Sequence, residues 1–192
     1  MARVGLTAER LTEAAADLAD EVGLENVTLS ALARRFGVKD ASLYAHVKGA
    51  RDLRDRVSVR SAREFADVLG EAIAGRSGRE AMLAFANAYR DFALAHPGRY
   101  AAVRLPPPAG AVADYHRLSA TTYAMLRGYG LAEPAATDAV RLLHSAFHGF
   151  VGIEASGGFR YTARETADSW ARALEALDAA LTHLAASPAG GA

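Results

Sequence analysis

The sequence predicts an all-α protein, on three observations. Alanine, the best helix former, supplies 45 of the 192 residues. Strand-like runs of β-branched residues are missing. Apolar residues recur at three- and four-residue steps through most of the chain. The length suits one compact unit or two small ones and is enough to bury a real core. With 51% hydrophobic and 23% charged residues, the composition is that of a globular protein, not a disordered one. The absence of cysteine excludes disulfides, zinc ribbons and thiol catalysis. No apolar run reaches the roughly 20 residues of a membrane span, and residues 1–10 lack the apolar stretch of a signal peptide. The expected address is the cytoplasm, with no membrane partner.

A first helix is expected after Thr7, with Leu11, Ala14, Ala15, Leu18 and Val22 on one face and Gly23 as its stop. Thr28 is a good N-cap for a second, two-turn helix. Its inner face is Leu29, Leu32, Ala33 and Phe36, and Gly37 ends it. After a short turn, Asp40 can open a third helix through Val47, in which only Leu43 and Val47 must point inward. Residues 40–47 are too few to fold alone, because helix nucleation is costly. They need Leu18, Val22, Leu32 and Phe36 as backing.

Longer helices follow. One runs from Arg51 to about Leu69, with Leu53, Val57, Phe65 and Val68 inward. The next covers residues 79–95, where Met82, Phe85, Tyr89 and Phe92 form a bulky stripe and His96-Pro97-Gly98 stops it. Pro106-Pro107-Pro108 marks a loop. A helix over residues 112–128 has Tyr115, Leu118, Thr122, Met125 and Tyr129 for its inner side. The last two are expected over residues 135–156 and 163–186, the second opened by a capping box at Thr162 and Glu165.

The net charge of zero is unevenly spread. Residues 28–63 carry +6, between −4 over residues 1–27 and −2 over residues 64–192. A basic block of this kind is a footprint that nucleic acid can use. Two short helices joined by a glycine turn, with a third behind, make a helix-turn-helix. The string that carries a family resemblance is Val27-Thr28-Leu29-Ser30-Ala31-Leu32-Ala33, Phe36-Gly37-Val38, Ser42-Leu43-Tyr44-Ala45-His46-Val47-Lys48 and Arg51-Asp52-Leu53. Over residues 7–55 it resembles the DNA-binding domain of the TetR family of bacterial transcriptional regulators. The family more often has Phe after the histidine and Asn-Lys next, where this chain has Val47-Lys48-Gly49. Residues 1–50 are therefore expected to form the DNA-binding domain, and residues 51–192 an effector-binding and dimerisation domain.

The second helix of such a hairpin lies in the major groove with its N-terminal residues near base edges. Lys39 can donate to guanine and Ala41 can touch a thymine methyl, and Ser42 can bond to a base edge. Asp40 either accepts from a cytosine or caps its own helix. Tyr44 and His46 resemble the family's phosphate contacts, which hold register without reading sequence, although packing within the domain is the other role open to each. Thr28 and Lys48, each at or near the start of a helix, are expected to meet phosphates as well.

In the last two helices, Ser145, Gly149, Gly152 and Ser156 fall on one stripe of small residues, while Trp170, Leu174, Leu177 and Leu181 form a bulky heptad seam. Glycine inside a helix costs about 1 kcal/mol relative to alanine, so the stripe points to the close approach of another backbone. These eight residues are the expected interface of a homodimer, which the resemblance also implies. Packing of the same faces within one chain is the competing reading. Leu143 to Phe150 resembles the Trp-His-Gly element of one TetR subgroup, with Phe147 in place of tryptophan.

Met82, Phe85, Tyr89, Phe92, Tyr115, Thr122, His144, Phe147 and His148 are the candidate walls of an effector pocket, with plain core as the alternative for any single one. His144 and His148 share a helix face and could hold zinc, but Ser145-Ala146 stands where a zincin has His-Glu. No phosphate-cradling loop, nucleophile elbow or dinucleotide fingerprint appears. Neither a cofactor nor a metal is expected, and catalysis is not the reading. The chain is expected to be a ligand-responsive homodimer, most simply a repressor, that binds a palindromic double-stranded operator and is released by a small hydrophobic or aromatic effector. The rival is a DNA-binding regulator or architectural protein with no effector.

Overall fold

The computed structural model describes residues 5–186 and is all-α, with no strand among the described residues. Helix α1 (Ala8–Val22) starts where Thr7 caps it, its hydroxyl oxygen accepting from the Arg10 N–H at 3.2 Å. Helix α2 (Leu29–Phe36) is capped by Thr28, which accepts from the Ala31 N–H at 3.1 Å. Gly37 ends it in the left-handed region at φ 65° and ψ 34°, a conformation that costs glycine nothing.

The third helix does not form as an α-helix. Asp40–Ser42 is one 3-10 turn, and the chain continues in turns until Val47. Two causes are visible. The segment is too short to repay helix nucleation, and Lys39, at the capping position, makes no side-chain cap. The turn is held instead by Leu43 and Val47, at 0% and 2% exposure in a core with Leu11, Val27, Leu32 and Leu53. Val22, expected among the backing residues, is 45% exposed because α1 ends there and its last turn points to solvent.

Helices α3 (Ala50–Ile73), α4 (Gly78–Ala95), α5 (Pro97–Val103), α6 (Val112–Leu126), α7 (Ala135–Ala155) and α8 (Thr166–Ala186) complete the chain. It folds as two compact units. One comprises the chain up to Phe65 with Ala95–Leu118, the other Ala66–Leu94 with the chain from Ser119 onward. Residues 51–65 and 95–118 thus belong with the helix-turn-helix, beyond the division at residue 50 drawn from the sequence.

Within the first unit α5 packs along α1. Gly98 makes this possible, since a Cβ there would lie 2.1 Å from the carbonyl carbon of Ala19. Beside it the largely buried Arg99 pairs with Asp17 at 2.6 Å, with Asp20, and with Glu64 at 3.2 Å. His96-Pro97-Gly98 therefore does more than stop α4: Pro97 opens α5.

In the second unit Leu69 is buried and Val68 exposed, so α3 turns a face one residue later than expected. The expected capping box is absent. The Thr162 hydroxyl donates to the Phe159 carbonyl at 2.9 Å, inside the preceding turn, and α8 starts only at Thr166.

Candidate functional site

The face expected to read DNA is built on apolar backing. Leu43 and Val47 anchor the segment 39–48, which leaves Lys39, Asp40, Ala41, Ser42, Tyr44, Ala45 and Lys48 exposed and His46 half-buried. Tyr44 is 61% exposed, large for an aromatic residue beside a core. The side chains of Lys39, Ser42, Tyr44 and His46 make no hydrogen bond or ion pair with the described residues. Their donors are open to a partner outside the chain. Thr28 is exposed with its oxygen lone pair on Ala31, so its O–H remains as a donor.

Two predicted roles change. Asp40 does not cap its own turn, and its Oδ2 accepts a hydrogen bond from the Ser30 hydroxyl of α2. The backbone N–H of Lys48 is not open to a phosphate, because it donates to Asp52 Oδ2 at 2.9 Å. Only the Lys48 side chain can serve there. Burial works against ionisation of Asp52, yet that N–H and the Arg56 guanidinium at 3.1 Å hold its carboxyl below the usual carboxylate range. The signal for this cap was present in the sequence as an acid three residues after Gly49. Arg35 is likewise occupied, by Glu21 at 2.8 Å.

The effector candidates are placed unevenly. Met82, Phe85, Thr122 and Phe147 are fully buried, with Tyr89 and Phe92 nearly so. The rings of Phe85 and Tyr89 lie 6.2 and 5.5 Å from Phe147, whose ring in turn lies 5.7 Å from Trp170. Beside this core Thr122 Oγ1 lies 3.4 Å from His144 Nε2, and burial pushes the His144 imidazole pKa down. His148 is half-buried one turn on. Tyr115 is not part of this group. It belongs to the first unit, where its hydroxyl bonds to the buried Ser58, because α6 changes unit partway along its length.

The second unit also has a cleft of about 480 Å³, lined by Tyr123, Leu126, Arg127, Leu131, Glu133 and Ala136 among others. None of the predicted pocket residues lines it. Half-buried Arg90 pairs with Glu154 through Nε at 2.7 Å and lies 5.8 Å from the centre of the Trp170 ring. No local pattern marks this pair, whose members are 64 residues apart.

The expected dimer residues divide into two groups. Ser145, Gly149, Gly152 and Ser156 are all exposed on α7, and a Cβ at Gly149 or Gly152 would meet nothing within 4 Å. Leu142 and Ile153, 39% and 47% exposed, flank them. Trp170, Leu174 and Leu181 are instead buried within the chain, and Trp170 Nε1 donates to Asn87 Oδ1 at 2.8 Å. That half of the seam is core of its own bundle, since α8 turns its bulky face towards its own aromatics. Leu177 lies half-buried at the edge. Among the described residues no cluster of His, Asp and Glu could hold a metal, and no helix is long and apolar enough to cross a membrane.

Comparison with known proteins agrees with this geometry. Residues 11–57 match the family described as "Bacterial regulatory proteins, tetR family", and residues 82–177 match "Tetracyclin repressor-like, C-terminal domain". The uncharacterized HTH-type transcriptional regulator YobS of Bacillus subtilis (strain 168) is 35% identical over 82% of this chain and 83% of its own. The uncharacterized HTH-type transcriptional regulator Rv0681 of Mycobacterium tuberculosis is 37% identical over 79% of this chain and 72% of its own. Among solved structures, the TetR family protein ActR of Streptomyces coelicolor, in complex with actinorhodin, aligns with a TM-score of 0.68. It is 21% identical and covers 96% of this chain and 100% of its own. The chain belongs to the TetR family of DNA-binding transcriptional regulators, which are not enzymes.

Proposed function

We propose that this regulator is a homodimeric repressor that binds a palindromic operator and is released by a small hydrophobic or aromatic effector. The observation that carries the DNA-binding half is the unpaired set of exposed Lys39, Ser42 and Tyr44 with half-buried His46 on an apolar base. Lys39, Ala41 and Ser42 meet base edges, while Thr28, Tyr44, His46 and the Lys48 side chain hold phosphates. Residues 1–50 do the reading, and residues 51–192 bind effector and partner. Working on the chromosome of a bacterium, the protein acts in the cytoplasm.

The α7 stripe supports the dimer. Two glycines inside a helix cost stability, and among the described residues nothing lies within 4 Å of a Cβ at either to make that cost useful. A second copy that packs its own α7 there supplies the second reading head that a palindromic operator requires, its half-sites lying about 34 Å apart, one DNA turn. An effector that enters near Phe85, Tyr89, Phe147 and the Thr122–His144 pair must bind the released state more tightly than the operator-bound state. The complex of ActR with actinorhodin shows a relative taking a small molecule. One observation favours the second reading, a regulator without effector. Met82, Phe85, Thr122 and Phe147 are packed shut, with no surface for a ligand to touch until the core opens.

Fluorescence anisotropy of the purified protein tests the first reading, with DNA from upstream of its own gene against a scrambled duplex at two salt concentrations. Two protomers on the upstream duplex alone is the expected result. Equal, salt-sensitive binding to both duplexes favours the architectural reading, and no binding at low salt overturns the assignment of the reading face.

A further inference from the structure

The segment proposed to read DNA has little regular structure of its own. It offers one 3-10 turn, Asp40–Ser42, closed by two backbone bonds, Ser42 N–H to Lys39 O at 2.9 Å and Leu43 N–H to Asp40 O at 3.0 Å. A turn of that length has no cooperative stability of its own. Its C-terminal side is fixed by the buried Leu43. Its N-terminal side has no apolar anchor, since Lys39, Asp40, Ala41 and Ser42 are all exposed, and Lys39 supplies no cap. Among the described residues, one side-chain hydrogen bond ties residues 39–46 to the rest of the chain. It runs from the Ser30 hydroxyl, one residue into α2, to Asp40 Oδ2.

We infer that Ser30 and Asp40 are positioning residues, a brace that holds the reading turn against α2, and that Asp40 contributes to operator affinity without choosing a base. This rests on the proposed DNA-reading role of the segment. A hydrogen bond to an ionised acceptor is among the stronger polar contacts available at a surface. Its carboxylate is drawn back onto α2, where a base-reading side chain would need to reach outward. The tether also limits how far the carboxylate can swing towards a DNA backbone, whose phosphates repel it. Without the brace, the turn visits other conformations, and apparent affinity falls by the fraction of time it is misplaced. The bound arrangement, once formed, is the same, so every sequence loses equally.

The experiment is selection from a random-sequence duplex pool with the full chain and with Ser30→Ala, Asp40→Asn and Asp40→Ala, followed by affinity measurement on the selected sites. Amide hydrogen exchange at Ser42 and Leu43 is measured in the absence of DNA. The brace predicts that all four proteins select the same consensus. Ser30→Ala and Asp40→Ala should bind it roughly threefold to tenfold more weakly, the scale of one ordinary net hydrogen bond at an exposed site. Asp40→Asn keeps an acceptor oxygen and should bind close to the original. Exchange at Ser42 and Leu43 should quicken in the two alanine variants only. The inference is overturned if Asp40→Asn changes the base selected at one position while Ser30→Ala binds like the parent, since that is the pattern of a side chain reading cytosine. It is equally overturned if exchange is unchanged in all variants. If the parent itself enriches no sequence, the operator reading fails, and the exchange data still decide the brace.

Discussion

In the first unit, apolar side chains are fully buried beneath the reading segment while Lys39, Ser42, Tyr44 and His46 project without partners. In the second unit the polar groups pair with one another at and beneath the surface: buried Thr122 with His144, half-buried Arg90 with Glu154, and exposed Asn87 with the buried Trp170 indole. The same classes of side chain do opposite jobs. Polar groups left unpaired on a rigid surface are available to a partner, whereas polar groups paired inside an aromatic core fix the packing of one helix on another. Availability, and not chemical type, distinguishes a reading face from a core.

The sharpest way to break this contrast is at Trp170. If it is core, Trp170→Ala should destabilise the fold by about 3–5 kcal/mol, as large aromatic truncations do, measured by urea unfolding. Unchanged unfolding with loss of dimer in sedimentation would return Trp170 to the interface. Gly98→Ala comes next. Its Cβ would collide with the Ala19 backbone, and overpacking of this kind costs about 1–3 kcal/mol. Urea unfolding of this variant should show that loss, with weaker DNA binding alongside.

Gly149→Ala should move two quantities in opposite directions. With open space around the new Cβ, the chain alone should gain up to about 1 kcal/mol of stability, while a dimer packed on that stripe should weaken in sedimentation equilibrium. A simple rise in both would remove α7 from the interface. At the reading face, Lys48→Ala should leave folding unchanged and lower the slope of log K against log salt by about 0.9. A slope equal to the parent's would show that the side chain meets no phosphate.

The smallest effect is one of pH. Burial lowers the His144 pKa in the folded chain, so below the unfolded value of about 6.5 the unfolded state holds more protons. That contribution is fully present above the unfolded value and is lost as pH falls below it towards the folded pKa. Unfolding midpoints between pH 7 and 5 should therefore slope less steeply for His144→Gln, and an unaltered slope would show that His144 does not carry it.

Much of this was legible before the structure. Thr7, Thr28 and Gly37 announce helix ends by local chemistry, and the spacing of Leu29, Leu32 and Leu43 marks the apolar base. The exposed, unpaired side chains over residues 39–46 were anticipated because their motif lies within one short stretch. What escaped was decided by distant partners. The sequence cannot say that α8 turns Trp170 towards Asn87 and Phe147, that Tyr115 bonds to Ser58, or that Ser30 reaches Asp40. Periodicity gives a helix its apolar face but does not say whether that face meets its own chain or another.

The contact of Gly98 with Ala19 has a consequence for how such proteins can be recombined. The family's DNA-binding segment matches residues 11–57, yet α1 is completed by α5, some forty residues further along the chain. A head grafted onto another regulator at that boundary would carry α1 with its Ala15–Ala19 flank uncovered and Asp17 and Asp20 without Arg99. The compact piece is discontinuous, so a graft that keeps α1 covered moves residues 95–118 together with the chain up to Phe65.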